Sequence, residues 1–294
     1  MQYLINGFRG FCMALADSVP GVSGGTIAFI LGFYDKFVAS LNNIIFGNKK
    51  EKKEALFFLI KLGIGWILGM IIATLILTNL FEKHIYAVSS LFLGFIIFSI
   101  PLIIKEEKSC LKGKYKNIIF LILGIIIVSF ITYFNPVSGE GIDITNMNLG
   151  LAIYIFVSAM IAISAMVLPG ISGSTLLLIF GLYMPIMNAI KNFIHLDFSY
   201  FKVLFIFGLG VLTGIILVIK LIKIALEKFR SQTVYMIIGL MIGSLYAIVM
   251  GPTTLEVSQS AMNLSNFNII CFTVGGIIIY GLEKAKKMLN QKDI

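Results

Sequence analysis

The sequence predicts an all-α polytopic membrane protein made of two inverted-topology repeats, each a re-entrant broken-helix hairpin followed by three transmembrane helices. Three observations predict this class: an apolar composition, a duplicated break in the apolar pattern, and an uneven distribution of lysines among the loops. Of the 294 residues, 59% are hydrophobic and only 13% are charged. A hydrocarbon core of roughly 30 Å needs about 20 apolar residues per helix. The loops between such runs are short, so no soluble domain fits between them.

The elements follow in chain order. An apolar segment at about residues 2 to 46 is interrupted by "ADSVPGVSGGT" at residues 16 to 26, and a second at about 149 to 194 by "AMVLPGISGST" at residues 165 to 175. Apolar runs of membrane-spanning length cover residues 55 to 80, 85 to 104, 117 to 134, 149 to 168, 199 to 222, 233 to 250 and 267 to 282. We therefore expect a first repeat over residues 1 to 134 and a second over 149 to 294, within a single integral membrane domain.

The two interruptions are copies of one another. Residues 16 to 44 align with residues 165 to 193 in a single register. The matches are Ala16 with Ala165, Pro20 with Pro169, Gly21 with Gly170, Ser23 with Ser172, Gly24 with Gly173, Thr26 with Thr175, Gly32 with Gly181 and Tyr34 with Tyr183. At a slightly shifted offset, Gly63, Gly65 and Gly69 fall on Gly208, Gly210 and Gly214. Such self-similarity indicates a duplicated unit, and we expect this second glycine set to let helices pack closely.

The loop charges predict the orientation of each copy. Lysine and arginine cluster at 49 to 53, 105 to 116, 220 to 230 and 284 to 292, whereas residues 135 to 148 and 251 to 266 contain neither. Positively charged loops remain in the cytoplasm. The sides assigned to these loops agree with one another only if each broken segment crosses the membrane an even number of times and each copy adds three membrane spans. The copies are therefore expected to be inverted, with both termini in the cytoplasm.

The net charge and the residues that commonly bind metals do not indicate a nucleic-acid partner or a metal site. The net charge of +9 comes from lysines that flank apolar spans, so we predict no nucleic-acid partner. The three cysteines are odd in number and widely spaced, and His84 and His195 are isolated. This pattern is not typical of a disulfide framework or a metal cluster, and we predict neither a metal nor another cofactor.

The broken segments predict a binding site. Proline and glycine inside a membrane leave backbone groups unpaired, which is tolerated only inside protein or beside a wet cavity. We expect each break to be the tip of a re-entrant hairpin, after which a helix restarts with hydroxyl caps and glycines that admit a ligand to the backbone. A helix from Thr26 to Lys36 rises about 15 Å, roughly half the core, so its start lies near the midplane. Two such starts would converge on one point and form an anion site. A pair of proline kinks that only pack helices is the alternative.

At these residues a family resemblance becomes visible. The segments "RGFCMALADSVPGVSGGTIAFILGFYDK" and "LPGISGSTLLLIFGLY" resemble the polyprenyl-phosphate transporter family, and the similarity covers essentially the whole chain. It implies a flippase that returns undecaprenyl phosphate, the lipid carrier of cell-wall precursors, across the bacterial cytoplasmic membrane. The partners implied are this lipid and the membrane lipids around it. Ala14 stands where the family would have glycine.

The resemblance and the repeat together nominate the substrate-binding residues. The family motif maps onto Arg9, Gly10, Asp17, Pro20, Gly21, Ser23, Gly24, Gly25 and Thr26, and its second copy onto Pro169, Gly170, Ser172, Gly173 and Ser174, with Thr175 as the counterpart of Thr26. A small-anion channel or exchanger is the alternative function. A membrane lipid phosphatase is favoured less, because that chemistry needs a nucleophile or a paired acid and base and the histidines lie outside the motifs.

The charged residues of the first hairpin have no charged counterparts in the second. Arg9, Asp17 and Lys36 fall on Ser158, Met166 and Pro185. Charges within membrane segments are costly and indicate function by default. We expect Lys36, and Lys61 in the next span, to extend to the interface. Our hypothesis is that Arg9 holds the phosphate and Asp17 competes for that arginine. The alternative is that Arg9 only reaches the interface and Asp17 only caps the tip.

Overall fold

The computed structural model describes residues 2–17, 23–72, 78–134, 144, 147–194, 196–254 and 259–290, and the regular structure within these ranges is helical. The α-helices are α1 (Gln2–Asp17), α2 (Gly24–Ile30), α3 (Tyr34–Phe46), α4 (Lys49–Ile72), α5 (Thr78–Glu106), α6 (Lys108–Leu111), α7 (Ile118–Tyr133), α8 (Leu149–Val167), α9 (Gly173–Ile179), α10 (Tyr183–Ile194), α11 (Phe201–Lys228), α12 (Arg230–Met250) and α13 (Ile269–Asn290). Short 3₁₀ turns precede α7 and α11 and follow α12.

Within the described ranges, six helical segments are long and apolar enough to cross a membrane. They are Lys49–Ile72, His84–Glu106, Tyr115–Tyr133, Leu149–Val167, Phe198–Lys228 and Arg230–Thr253, and α13 contains a shorter apolar segment, Ile269–Gly281. On α4 the side chains of Ile60, Ile64 and Ile67 are about half exposed. A helix face of this kind is stable against lipid rather than water. The predicted all-α polytopic membrane class is confirmed.

Each predicted broken segment is interrupted twice. After α1 and α8 the chain restarts in α2 and α9, which have only seven residues each. Both short helices then end before a glycine of positive φ, Gly32 at 67° and Gly181 at 64°, a conformation that favours glycine. The expected continuous helix from Thr26 to Lys36 is therefore wrong. Lys36 lies on a separate helix, α3, and its depth does not follow from a continuous rise.

The long helices pack in pairs: α1 on α4, α8 on α11, α5 on α13 and α7 on α12. Glycines make the first two contacts close. A Cβ at Gly65 would collide with the carbonyl oxygen of Gly7, and one at Gly210 with the carbonyl oxygen of Phe156. The predicted packing role is thus confirmed for these two glycines, and in the same way for Gly69 and Gly214. It is wrong for Gly63 and Gly208, where a Cβ would meet nothing within 4 Å.

Candidate functional site

The first motif begins α2 with a serine cap. Ser23 has extended backbone, and its Oγ accepts a hydrogen bond from the backbone N–H of Thr26 at 3.2 Å. This contact satisfies one of the N–H groups that every helix start leaves without an intrahelical partner. The predicted hydroxyl cap is confirmed at Ser23. Pro20 and Gly21, also predicted site residues, lie outside the described residues.

Asp17 occupies the start of α2. Its Oδ1 accepts a hydrogen bond from the Gly24 N–H at 2.6 Å, and its Oδ2 accepts one from Trp66 Nε1 at 2.9 Å. A carboxylate is stabilised at a helix N-terminus by the partial positive charge there. A Cβ at Gly24 would lie 2.8 Å from Asp17 Oδ2. The expectation that Gly24 leaves open space for a ligand is therefore wrong in this state, since the protein's own carboxylate fills that space.

The second motif forms a tight turn between α8 and α9. Pro169, Gly170, Ser172 and Gly173 are buried, and Gly170 has a φ of 89°. A Cβ at Gly173 would lie 2.9 Å from the carbonyl oxygen of Ala162, so here too the backbone is closely packed rather than open. Thr175 is partly buried in the first turn of α9, and the side chain of Ser174 lies outside what the structure describes.

The two motifs touch each other. Thr26 Oγ1 accepts a hydrogen bond from the Gly170 N–H at 2.8 Å, and Ser23 Oγ donates one to the carbonyl oxygen of Leu168 at 3.4 Å. The hydroxyl of Tyr34 donates to the carbonyl oxygen of Val167 at 3.1 Å. Side chains of the first break thus satisfy backbone groups that the second break frees. A buried backbone group of this kind needs a partner, so each break stabilises the other.

Arg9 lies apart from this contact. Its Nη1 donates a hydrogen bond to Asn6 Oδ1 at 3.1 Å, and its guanidinium lies 4.9 Å from the centre of the Phe33 ring. Among the described residues, the ion pairs do not include one between Arg9 and Asp17. Asp17 follows Arg9 by eight residues, a rise of about 12 Å along α1. The two charged residues of the first hairpin therefore occupy different positions along the helix.

The sequence motifs had predicted no role for Trp66 or Tyr34. Trp66 is the single tryptophan of the chain, and a buried indole N–H usually finds an acceptor; that rule could have directed attention to a nearby carboxylate. Tyr34 is half of a matched pair with Tyr183, and its ring is almost fully buried. The sequence shows this match. The hydrogen-bond acceptor of the Tyr34 hydroxyl, a carbonyl oxygen at the other break, depends on how the two copies dock.

Arg230 ties the first broken segment to the second copy. Its Nη1 lies 2.8 Å from Asp35 Oδ2, and its Nη2 and Nε lie 2.5 Å and 3.0 Å from the two carboxylate oxygens of Glu107. A guanidinium holds a carboxylate well in this two-pronged geometry. Asp35 lies in the first turn of α3, Glu107 follows α5, and Arg230 begins α12. The sequence showed Arg230 only as part of a positively charged loop and predicted no role for Asp35 or Glu107.

These features define a multi-pass α-helical membrane protein whose two interrupted segments meet. Residues 13–266 match the model of a family described as undecaprenyl phosphate translocase-like. The chain belongs to this family, which confirms the predicted family and the predicted transporter class.

Two curated relatives are similar over most of the chain, and both are named polyprenyl-phosphate transporter. The protein of Staphylococcus aureus (strain NCTC 8325 / PS 47) is 36% identical over 250 residues, which cover 85% of this chain and 87% of the relative. That of Vibrio cholerae serotype O1 (strain ATCC 39315 / El Tor Inaba N16961) is 34% identical over 255 residues, 83% of this chain and 77% of the relative. No solved structure matches this chain.

Proposed function

We propose that this protein carries undecaprenyl phosphate, a polyprenyl-phosphate lipid, across the bacterial cytoplasmic membrane, so that the carrier is reused for cell-wall precursors. Family membership and the names of the two relatives support the substrate class. The observation that carries the path is the contact of the two motifs, in which the Gly170 N–H donates to Thr26 Oγ1 at 2.8 Å. The phosphate crosses the membrane midplane at this contact while the tail remains in lipid.

The phosphate can replace the contacts that close the path. In the present state, the N–H groups of Gly24 and Gly170 donate to Asp17 Oδ1 and Thr26 Oγ1. Phosphate oxygens are acceptors of the same kind, and helix starts bind them readily. A phosphate that takes over both donors leaves neither unpaired, which avoids the cost of a buried donor without a partner, about 1–3 kcal/mol. The other proposed site residues are Pro20, Gly21, Ser23, Gly25, Pro169, Ser172, Gly173, Ser174 and Thr175.

Asp17 then acts as an internal competitor. Its carboxylate holds the Gly24 N–H in the absence of substrate and retakes it when the phosphate leaves. This revises the hypothesis from the sequence, because the competition is for a backbone N–H group rather than for Arg9. Arg9 receives the phosphate on the cytoplasmic approach, where its planar fork of donors suits phosphate oxygens.

We further propose that the two copies are inverted and that each broken segment is a re-entrant hairpin. The repeat equates α5 with α12 and α7 with α13, and the packing of α5 on α13 and of α12 on α7 is the pattern expected when two copies exchange equivalent helices. With 19 residues, α8 is long enough for a full crossing. A full crossing followed by a return through α9 and α10 still makes an even number, so the predicted cytoplasmic termini are unaffected.

Thiol labelling tests this topology. Lys114 follows α6 and Leu264 precedes α13; both are exposed, Leu264 at 96%. We expect Lys114→Cys to react with a membrane-impermeant maleimide only from the cytoplasmic side and Leu264→Cys only from outside, in a background without native cysteines. Native Cys110 is a poor reporter, because partial burial and its hydrogen bond to Glu107 raise the pKa of the thiol to about 11, and the thiolate is the reactive form. Reaction of both variants from one side would rule out the proposed topology.

Reconstitution tests the function. Purified protein in liposomes is expected to equilibrate labelled undecaprenyl phosphate between leaflets much faster than empty liposomes do, without conducting chloride. Transport is followed as the fraction of the lipid accessible to an external phosphatase. Chloride flux without lipid movement would favour the small-anion alternative and contradict the proposal.

A further inference from the structure

A polar cavity of about 530 Å³ lies between α1, α3 and α4, outside the motif contact. Lys36 of α3 and Lys61 of α4 line it, together with Asn6 of α1 and Ser40 of α3. The Lys36 ammonium lies 5.0 Å from the centre of the Phe58 ring, which also lines the cavity. Lys36 is an exposed residue, and this contact holds its ammonium at the cavity wall.

Two buried side chains in the cavity wall have hydrogen-bonding capacity to spare. Ser40 is only 6% exposed, and its hydroxyl has no hydrogen-bond partner among the residues that the structure describes. Asn6 is 7% exposed and uses its Oδ1 to accept from Arg9, and its amide donor has no partner in the part of the chain that the structure describes. Buried polar groups normally have partners. Donors of this kind beside two lysines point to an anionic guest with several acceptor oxygens.

The charges of the cavity are arranged by depth. Glu51 and Glu54 also line it, but both are exposed in the first two turns of α4. Lys61 lies about 10 Å further along the helix than Glu54. Glu51 is already engaged, since its Oε2 accepts from the Asn48 N–H at 2.8 Å. The carboxylates therefore stand at the mouth, where four more lysines of α4 outnumber them, and Lys61 lies deeper and is partly buried. Those four are Lys49, Lys50, Lys52 and Lys53.

The second copy fills the equivalent place with apolar side chains. By the offsets of the repeat, Lys36, Ser40 and Lys61 correspond to Pro185, Ala189 and Ile206. Ala189 is fully buried, and Ile206 packs against the same apolar cluster. The polar cavity therefore belongs to one copy only. If the copies are inverted, it serves one side of the membrane, the cytoplasmic side by the positive loops.

The cavity also borders a lipid-facing surface. Phe57 lines it and is 52% exposed, and its neighbours Leu56 and Ile60 are about half exposed on the same helix. An isoprenoid chain can lie along this apolar face of α4 while a charged headgroup occupies the cavity. A free anion would make no use of the face.

We propose that this cavity is a second site for the phosphomonoester headgroup of a polyprenyl phosphate, at which the lipid docks on the cytoplasmic side. Lys36 and Lys61 neutralise the phosphate, Asn6 and Ser40 donate hydrogen bonds to it, and the tail lies on α4. Asn6 also contacts Arg9 at 3.1 Å, which connects the cavity to the proposed approach toward the motifs. This inference rests on the proposed function for the identity of the lipid.

A local protection assay tests the cavity separately from transport. Ala39 lines the cavity, so alkylation of an Ala39→Cys thiol, in a background without native cysteines, reports its occupancy. We expect farnesyl phosphate to slow this alkylation at least about tenfold, and the added pair Lys36→Gln and Lys61→Gln to abolish the protection. Lys220→Gln is the matched control, because that ammonium also stacks on a phenylalanine, Phe46, at 5.6 Å but does not line the cavity.

Two further ligands in the same protection assay identify the source of the phosphate group. We expect inorganic phosphate to protect at least tenfold more weakly than farnesyl phosphate, and phosphatidylglycerol, a phosphodiester, not to protect. Protection that survives loss of both lysines, or equal protection by inorganic phosphate or phosphatidylglycerol, would overturn the inference. Lipid transport by the wild type without protection would refute the cavity site alone, whereas protection without transport would refute the proposed function alone.

Discussion

Replacement of Gly65 with leucine is expected to prevent the protein from folding stably, whereas the same replacement at Gly63 is tolerated. A Cβ at Gly65 would overlap the carbonyl oxygen of Gly7, so α1 and α4 would have to separate. Overpacking usually costs about 1–3 kcal/mol, and more when backbone must move. We expect a loss of at least about 3 kcal/mol, seen as aggregation in size-exclusion chromatography or as a much lower unfolding temperature in detergent.

Gly63 is a matched control, two residues away on the same helix. A Cβ there would meet nothing within 4 Å, so Gly63→Leu is expected to elute and unfold like the wild type. The second copy repeats the pair, with Gly210→Leu expected to be damaging and Gly208→Leu harmless. Equal stability of Gly65→Leu and Gly63→Leu would show that α1 and α4 do not pack as described.

Asp17→Asn is expected to lower undecaprenyl phosphate transport at least about tenfold. The carboxylate now accepts from two donors, the Gly24 N–H and the Trp66 indole. The asparagine amide has one acceptor oxygen, so one buried donor loses its partner, at a cost of about 1–3 kcal/mol. Protonation of Asp17 also gives wild-type transport a dependence on pH, which the Asp17→Asn protein is expected to lack. The measurement is the initial transport rate in liposomes between pH 5 and 9.

Asp197→Asn is the control for this substitution. Asp197 is exposed, and the hydrogen bonds that it accepts within the described residues come from Ser199, before α11. Its replacement is expected to leave both the rate and the pH profile unchanged. An Asp17→Asn protein that transports at the wild-type rate with the wild-type pH profile would remove Asp17 from the mechanism.

The membrane class and the motifs could be predicted from the sequence, because the membrane constrains both of them directly. Apolar run length follows from the thickness of the hydrocarbon core, and a break in such a run must be satisfied by other protein groups. The convergence of the two breaks on each other followed from the repeat, and the contact between Thr26 and Gly170 bears out their proximity. The helices that carry the motifs were predicted less well.

The ends of α2 and α9 illustrate the difference. Glycine occurs both inside helices and in the left-handed turn that ends a helix. The presence of Gly32 therefore does not by itself predict whether the helix continues or ends there. The different roles of the α4 glycines could have been predicted from the sequence. Gly65 and Gly69 are four residues apart and share a helix face, whereas Gly63 lies on another face. Helical periodicity would have separated them.

The position of the Asp17 carboxylate could not be predicted from the local sequence. It depends on the contact between the end of α1 and the start of α2 and on an indole 49 residues away. The sequence left two roles open for this residue: competition for Arg9, or capping of the hairpin tip. The structure has the capped arrangement, with Trp66 as a second donor. Only tertiary packing brings Trp66 to this point.

The central claim is that the lipid phosphate passes where the two motifs meet, so the motifs must part during transport. Ser23 Oγ and the Leu168 carbonyl oxygen are 3.4 Å apart across this contact. In a protein without native cysteines, Ser23→Cys and Leu168→Cys together place one thiol on each side of this contact. A bis-methanethiosulfonate reagent, whose spacer does not require a fixed distance between the thiols, can join them, and dithiothreitol releases the bridge. We predict that the bridge stops undecaprenyl phosphate transport, that reduction restores it, and that neither single variant loses transport on treatment with the same reagent. Transport at the same rate with and without the bridge would contradict the account.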